Sequence, residues 1–275
     1  MKELYKYQGA GNDFVVIDGR KSAGKDASWV DGDFIRRICD RRYGIGADGL
    51  MILEDSEQYS FKMIYYNSDG TGGMMCGNGG RCIAAFALKL GITDLHFEAA
   101  DGPHEAELIS AGEVIDSSVR QECVIRLKLK DVSEILTCDE RSYFLDTGTR
   151  HFIRFVDDVA STDVVGEGRI IRYRDDFAPI GTNVDFVQPE NGRLRVRTYE
   201  KGVEDETYAC GTGIVASCIA AWFHGVKPSA IAERVRYDVS ALRDELSVDF
   251  IPGEGEIAKD VWLTGPAVCV ACIIL

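Results

Sequence analysis

MMCGNGGRC, at residues 74–82, has a counterpart in YACGTGIV, at residues 208–215. Both stretches read Cys-Gly-polar-Gly, and each opens an alanine-rich apolar run, CIAAFAL at 82–88 and CIAAWF at 218–223. Each run predicts a buried helix that ends at a glycine, Gly91 in the first copy and Gly225 in the second. The pattern therefore places Cys76 and Cys210 just before the first turn of a helix.

A cysteine at a helix N-terminus has a distinctive chemical environment. The first N–H groups of a helix have no partner inside the helix, and the positive end of the helix dipole lies there. Such a terminus lowers the pKa of a thiol and can hold a carboxylate. Two cysteines in matching settings suggest a pair of thiols that work on one substrate.

The composition narrows the class of protein. A chain of 275 residues suggests two domains at the usual size of ~150 residues. The formal net charge of −14 disfavours a nucleic-acid partner, which needs clustered basic charge. No apolar run approaches the ~18 residues of a membrane span, and Met1–Leu4 does not open a signal peptide. Nine cysteines, scattered and odd in number, predict reduced thiols in a cytoplasmic protein.

The spacing of histidines and cysteines and the context of the one GxGxxG match argue against a metal site and a nucleotide site. The four histidines form no close pair, and the one Cys-x-x-Cys, at Cys269–Cys272, falls in a predicted closing strand. GIGADG, at residues 44–49, matches the dinucleotide pattern GxGxxG, but it follows a predicted helix and precedes a predicted strand. That order is the reverse of a dinucleotide-binding turn.

The two cysteine motifs belong to a longer internal duplication. GAGNDFV at 9–15 and GTNVDFV at 181–187 each lead into a strand, a turn and then a cysteine motif. This repeat predicts an α/β fold of two similar domains, residues 1–120 with 265–275 and residues 121–264. Facing each other, the domains would place Cys76 and Cys210 across one cleft. Residues 169–173 predict a short helix, and 261–263 and 268–275 predict two closing strands.

Two thiols on opposite faces of a site suit the inversion of a stereocentre. A thiolate removes a proton from one face of Cα, and a thiol delivers another proton to the opposite face. Helix N–H groups aimed at the α-carboxylate would stabilise the enediolate charge that develops. The glycine after each cysteine lets the backbone approach closely.

These motifs resemble the diaminopimelate epimerase family over nearly the whole chain. They read GNDF at 11–14, NSDG at 67–70, MCGNGGRC at 75–82, GTNVDF at 181–186, EKG at 200–202 and ACGTG at 209–213. The resemblance implies interconversion of LL- and meso-2,6-diaminopimelate, in lysine and cell-wall precursor synthesis, without pyridoxal phosphate or metal. It also implies that each domain is a mixed β-sheet wrapped round a central helix, with the last strand returning to the first domain.

The resemblance also implies roles for residues of this chain. Cys76 and Cys210 correspond to the acid/base pair, and His151 and Glu200 to positions beside the reacting amino group. The α-carboxylate cradle corresponds to Gly77, Asn78, Gly211 and Thr212. Contacts to the reacting and distal ends of the amino-acid substrate correspond to Asn12, Asn67, Asn183, Glu200 and Lys201.

The chain departs from the family pattern at several positions. Lys201 replaces the usual arginine, so a point charge replaces a bidentate fork. Thr149 and Arg150 stand before His151 in place of Asn or Ser and Pro, and Gly49 replaces a glutamine of some members. Ala271 stands near a tyrosine that some members use in dimer contacts, so a homodimer stays an open alternative to a monomer.

Two other function classes remain open alternatives. Proline racemase-type enzymes share the two-thiol logic, but their first motif reads Cys-Gly-His, and Asn78 argues against them. A redox-sensing protein could also carry two facing cysteines. Such a switch would not need the paired glycines, the asparagines or Glu200.

Overall fold

The computed structural model describes residues 2–73, 75–112, 121–231, 233–253 and 257–275. The helices are α1 Gly32–Cys39, α2 Gly77–Lys89, α3 Val164–Arg172 and α4 Gly211–Phe223. The strands are β1 Glu3–Gly9, β2 Asn12–Asp18, β3 Gly49–Glu54, β4 Phe61–Asn67, β5 His96–Ala99, β6 Gly102–Ala111, β7 Gln121–Lys128, β8 Ile135–Asp139, β9 Ser142–Asp146, β10 Arg150–Phe155, β11 Asn183–Glu190, β12 Arg193–Glu200, β13 Asp205–Thr207, β14 Ser229–Ile231, β15 Arg234–Ser240, β16 Glu245–Pro252 and β17 Ala258–Ile274.

The chain divides into two compact units. Unit 1 is Met1–Leu127 with Gly265–Leu275, and unit 2 is Lys128–Thr264. The sequence places the change of domain before residue 121, whereas the structure keeps β7 in unit 1 as far as Leu127. The reason is pairing, because β7 lies antiparallel to β6 and to the part of β17 that begins at Gly265.

Unit 1 is a mixed sheet that closes on itself around α2. The pairing runs β1–β2–β3–β4–β5–β6–β7–β17 and returns to β1, with parallel pairs at β2–β3 and β4–β5. Helix α2 packs against β1, β2, β3 and β6. Residues 77–87 of this helix are all buried. The sheet therefore encloses α2, as the family resemblance implies.

Unit 2 repeats the arrangement around α4. Its sheet runs β8–β9–β10–β11–β12–β15–β16–β17, with parallel pairs at β10–β11 and β12–β15. Strands β13 and β14 add to β12 and β15. Helix α4 packs against β9, β10, β11, β12 and β16. Each unit thus has one buried helix that begins directly after a cysteine.

Local sequence explains the limits of both buried helices. Gly91 and Gly225 follow them with φ of 82° and 83°, a left-handed conformation that favours glycine, as predicted. Alanine and glycine make up 6 of the 13 residues of α2 and 5 of the 13 residues of α4, which lets several strands approach each helix closely. Phe86 supplies bulk in α2, where its ring contacts Tyr5 at 5.1 Å and Tyr7 at 5.9 Å between centroids.

Two elements differ from the sequence prediction. The predicted helix 169–173 begins earlier, at Val164, after Asp163 caps the Gly166 N–H. Gly166 and Gly168 have low helix propensity, so the sequence does not predict the first turns of this helix. Gly168 is needed for packing, because a Cβ there would lie 2.5 Å from the Tyr199 side chain. The two predicted closing strands form one strand, β17, which contributes to both units.

The helices are short. Among those formed by the described residues, none is long and apolar enough to cross a membrane.

Replacing Phe86 with alanine tests the enclosed helix. Phe86 is fully buried, so Phe86→Ala should lower the free energy of unfolding by about 3–5 kcal/mol through lost burial and a residual cavity. Ile170→Ala is the control, because Ile170 lies on α3 with 73% of its surface exposed. The control should change stability by less than about 0.5 kcal/mol. Urea unfolding followed by circular dichroism measures both, and equal losses would contradict the enclosure of α2.

Candidate active site

Cys76 occupies the N-cap of α2. Its backbone is extended, with φ of −118° and ψ of 156°, and its Sγ accepts a hydrogen bond from the Gly79 N–H at 3.3 Å. Sulfur thus takes the place that an oxygen of Ser, Thr, Asn or Asp fills in most caps. The side chain is half-buried. An N–H donor and the helix dipole both stabilise the thiolate form of a sulfur at this place.

Asn12 lies beside the first thiol. It begins β2, and its Oδ1 is 3.9 Å from Cys76 Sγ. Its Nδ2 donates a short hydrogen bond to Asp48, which fixes the amide with the oxygen toward the sulfur. Asp48 in turn accepts from the Asp13 N–H at 3.1 Å and from Arg41 at 2.6 Å. Asp48 belongs to the glycine loop at 44–49, so this loop holds Asn12 in place beside the Cys76 thiol.

Asp13, the residue after Asn12, forms ion pairs with two cations, Lys6 and Arg41. Lys6 lies 2.7 Å and Arg41 2.8 Å from its carboxylate. Burial alone would raise the pKa of Asp13, but the hydrogen bonds from Arg41 and Lys6 outweigh it and hold the pKa at about 2. The carboxylate is thus charged throughout the neutral range and contributes stability there.

The Asn78 side chain is turned into the protein. It is 5% exposed, and its Oδ1 accepts from Arg81 at 2.9 Å. Arg81 is fully buried and also donates to the Gly77 carbonyl at 3.1 Å and the Pro266 carbonyl at 3.4 Å. The Asn78 side chain therefore holds Arg81. The backbone N–H groups of Gly77 and Asn78 remain the part of this turn suited to a carboxylate.

Asn67 ends β4 and belongs to a tight turn. Its Nδ2 donates to the Thr71 hydroxyl at 3.1 Å, and its backbone N–H donates to the Thr71 carbonyl at 2.9 Å. The next residue, Ser68, donates its N–H to the Asp48 carbonyl at 3.0 Å. The turn that carries Asn67 is thus tied to the loop that supports Asn12.

Cys210 occupies the N-cap of α4 in a different environment. It is 8% exposed, and its Sγ lies 3.4 Å from the Thr212 hydroxyl. Burial raises the pKa of the Cys210 thiol well above its usual range, and the charges of Glu200 and Asp185 raise it further. The contact with the Thr212 hydroxyl and the hydrogen bond from the Gly213 N–H offset only part of this pKa shift. Cys210 is therefore held as a thiol.

His151 and Asp185 form a buried pair beside Cys210. The His151 Nδ1 is 2.6 Å from Asp185 Oδ2, and its Nε2 is 2.9 Å from the hydroxyls of both Thr149 and Thr212. Strand register brings them together. His151 on β10 lies opposite Asn183 on β11, and Asp185, two residues along, points to the same face.

The remaining predicted residues of unit 2 join this group. The Asn183 Oδ1 accepts from the Lys201 N–H at 2.8 Å, and its Nδ2 donates to the Arg150 carbonyl at 3.1 Å. Glu200 accepts from the Thr207 hydroxyl at 2.9 Å. Asn183 thus fixes the turn that carries Glu200 and Lys201.

Sequence reasoning did not assign roles to Asp48, Asp185 or Arg81. Each lies inside a motif in which other residues carried the prediction: Asp48 in GIGADG, Asp185 in GTNVDF and Arg81 in MCGNGGRC. The duplication held a signal for Asp185, because both copies have Asp-Phe-Val after an asparagine: Asp13 comes one residue after Asn12, and Asp185 two residues after Asn183. Buried partners of this kind show themselves only through contacts between separate strands.

Solved structures share the fold. A PhzF-family phenazine biosynthesis protein from Bacillus anthracis matches with a TM-score of 0.70 at 13% identity, over 100% of this chain and 99% of that one. A hydroxyproline epimerase from Agrobacterium vitis, with bound trans-4-hydroxy-L-proline, matches with a TM-score of 0.62 at 14% identity, over 99% and 91%. The fold is therefore the duplicated α/β fold that these proteins have in common.

The relatives by sequence are more specific. The diaminopimelate epimerase family model matches residues 4–119 and 143–256. Diaminopimelate epimerase of Flavobacterium psychrophilum is 40% identical over 268 residues, 96% of each chain. The enzyme of the same name from Aquifex aeolicus is 38% identical over 96% of this chain and 94% of its own. The chain belongs to the diaminopimelate epimerase family, and it is an isomerase.

The Asp13 cluster predicts a pH-dependent stability. Asp13→Asn should lower the free energy of unfolding at neutral pH by on the order of 2 kcal/mol, because the folded state depresses the pKa of this carboxyl. A depressed pKa stabilises the fold above the usual pKa and loses that effect as the pH falls. The gap between parent and variant should therefore close between about pH 4 and about pH 2. Urea titrations across this range measure it, with Glu57→Gln, an exposed loop residue, as control. A gap independent of pH would contradict the assignment.

Proposed function

We propose that this chain interconverts LL- and meso-2,6-diaminopimelate by proton transfer at Cα between Cys76 and Cys210. The observation that carries the proposal is the matched position of the two thiols, each at the N-cap of an enclosed helix. The names of its relatives, which cover nearly the whole chain, supply the substrate class. The reaction belongs to lysine and cell-wall precursor synthesis in the cytoplasm.

The two thiols have complementary resting tendencies. A backbone N–H at its sulfur and a half-buried position stabilise the thiolate of Cys76 relative to that of Cys210, where burial and two neighbouring carboxylates favour the thiol. A thiolate takes the α-proton and becomes a thiol, while the opposite thiol protonates the other face of Cα and becomes a thiolate. In the reverse direction the two roles exchange. No redox change occurs, and one proton enters as one leaves.

Backbone N–H groups at both helix termini suit the α-carboxylate of the substrate. We assign this contact to Gly77 and Asn78 on α2 and to Gly211 and Thr212 on α4. The partial positive charge there stabilises the negative charge that moves onto the carboxylate oxygens when Cα loses its proton. Small residues are needed at these turns. A Cβ at Gly79 would lie 3.3 Å from Cys76 Sγ, and one at Gly213 would lie 2.3 Å from Asp185 Oδ1.

The remaining polar groups select a substrate with amino-acid groups at both ends. We assign His151 and Glu200 to the reacting amino group, and Asn12, Asn67, Asn183 and Lys201 to the reacting and distal groups. Lys201 offers a point charge to a carboxylate where an arginine would offer a fork. Asn183 holds the Lys201 backbone, so the turn is fixed even though the side chain differs.

Single-thiol variants test the proposal. Cys76→Ala and Cys210→Ala should each lower epimerisation by at least ~10²–10⁴-fold, because each removes one acid/base partner. Each remaining thiol should still exchange the α-proton of one stereoisomer with solvent. The two variants should therefore prefer opposite isomers in a deuterium-incorporation assay by NMR.

The control is Cys138→Ala, because Cys138 is exposed and lies on β8. It should retain the parent rate. Proline and 4-hydroxyproline, offered to the parent enzyme, separate the racemase alternative from the proposed substrate. If both thiol variants prefer the same isomer, or either epimerises at the parent rate, the two-thiol assignment is wrong.

Cofactor removal gives a further prediction. Two thiols supply both proton transfers, so protein treated with a chelator and with hydroxylamine should keep its epimerase rate. Absorbance of the pure protein should show no aldimine band. A rate that falls on treatment and returns with a metal ion or pyridoxal phosphate would contradict the proposal.

A further inference from the structure

The pair of His151 and Asp185 is built into the core of unit 2. Both side chains have 0% exposure, and Nδ1 and Oδ2 lie 2.6 Å apart. Burying such groups is costly unless each polar atom has a partner. The Thr198 hydroxyl supplies one, since it donates to Asp185 Oδ1 at 2.6 Å. Gly213 leaves the necessary space, because a Cβ there would lie 2.3 Å from Oδ1 and 3.1 Å from His151 Cε1.

Asp185 sets the direction of the hydrogen bonds through His151. An ionised carboxylate only accepts, so the imidazole carries its hydrogen on Nδ1. In the neutral ring Nε2 is then the bare, accepting nitrogen. The partners of the two ring nitrogens, Asp185 at Nδ1 and the Thr212 hydroxyl at Nε2, define this tautomer. The Nε2 faces the Thr212 hydroxyl at 2.9 Å, so that hydroxyl can donate to it.

The Thr212 hydroxyl also lies beside the second thiol. Its oxygen is 3.4 Å from Cys210 Sγ, within hydrogen-bond reach of sulfur. A hydroxyl that donates to His151 keeps lone pairs free to accept from the thiol. The atoms therefore form a continuous path from Cys210 through Thr212 and His151 to Asp185.

We propose that this path takes the thiol proton of Cys210 when that residue must act as a base, with Asp185 as the positioning residue. The thiol proton moves to the Thr212 oxygen while the Thr212 proton moves to His151 Nε2. The products are a thiolate and an imidazolium, whose charge Asp185 stabilises. The reverse transfers restore the thiol. This inference rests on the proposed function of the two cysteines.

The path explains how a thiol in this position could act as a base at all. Burial and the charges of Glu200 and Asp185 disfavour the thiolate of Cys210, so ionisation needs a local acceptor. Unit 1 has a different arrangement. A group beside Cys76 is the amide of Asn12, which does not take up a proton near neutral pH, and the sulfur accepts from the Gly79 N–H. The hydroxyl–imidazole–carboxylate path described here is at Cys210.

Thr212→Val tests the relay, because valine keeps the shape and the backbone N–H of residue 212 and removes only the hydroxyl. In a Cys76→Ala background, where exchange depends on Cys210, Thr212→Val should lower α-proton exchange at least about tenfold. In a Cys210→Ala background the loss should be at least about tenfold smaller. Thr212→Ser restores a hydroxyl and should recover most of the exchange lost in the first background.

A spectroscopic measurement tests the positioning role of Asp185 in the otherwise unchanged protein. The short Asp185–His151 bond should give a low-field proton resonance from the His151 Nδ1–H. Asp185→Asn should abolish this low-field resonance, because a neutral amide cannot form the short, charge-assisted bond that the carboxylate makes with Nδ1–H. His151→Gln should abolish it as well and so assigns the signal. A resonance that survives either change would overturn the assignment.

The outcomes separate the two proposals. Equal losses from Thr212→Val in both backgrounds, or no recovery with Thr212→Ser, would overturn the relay and leave the two-thiol function standing. The absence of exchange in both single-cysteine backgrounds would overturn the proposed function and the relay with it. The Thr212 variants leave the buried pair intact, so this test holds even if Asp185→Asn does not fold.

Discussion

The enclosure of one helix in each unit is the constraint on which the rest of the structure depends. A helix surrounded by strands needs small or apolar residues on nearly every face, and α4 and most of α2 have them; the buried Arg81 of α2 is instead satisfied by hydrogen bonds to Asn78, Gly77 and Pro266. Its first N–H groups then lie inside the protein and need partners. The sulfur of Cys76 meets one of these needs. A carboxylate at the same terminus would meet others, so the architecture itself favours an anionic ligand beside a thiol.

The duplication gives two thiols the same backbone position and different surroundings. Cys76 is half-buried, with an N–H on its sulfur and a neutral amide beside it. Cys210 is buried, with carboxylates nearby and a hydroxyl at its sulfur. A reaction that needs one proton acceptor and one proton donor is served by such asymmetry. Each sulfur is linked to a carboxylate through other side chains, Cys76 to Asp48 through the Asn12 amide and Cys210 to Asp185 through Thr212 and His151.

Departures from the family pattern have local explanations in the packing. At Gly49 an added Cβ would lie 2.4 Å from the Tyr65 ring and 2.5 Å from the Tyr66 carbonyl, so no larger residue fits. Thr149 places its hydroxyl 2.9 Å from His151 and 3.1 Å from the Thr212 hydroxyl, within the polar group around the imidazole. At these two positions, the residues that differ from the family pattern therefore fit their surroundings.

The sequence by itself determined the two buried helices, their glycine ends, the cysteine at each N-cap and the duplication, because these depend on near neighbours along the chain. The same motifs carried the resemblance to the family. Only the tertiary structure decided that β7 belongs to unit 1, that the two predicted closing strands are one strand, and which polar groups meet. His151 and Asp185 are 34 residues apart, and the parallel register of β10 and β11 joins them. Strand register depends on how distant segments pack, and no local pattern encodes it.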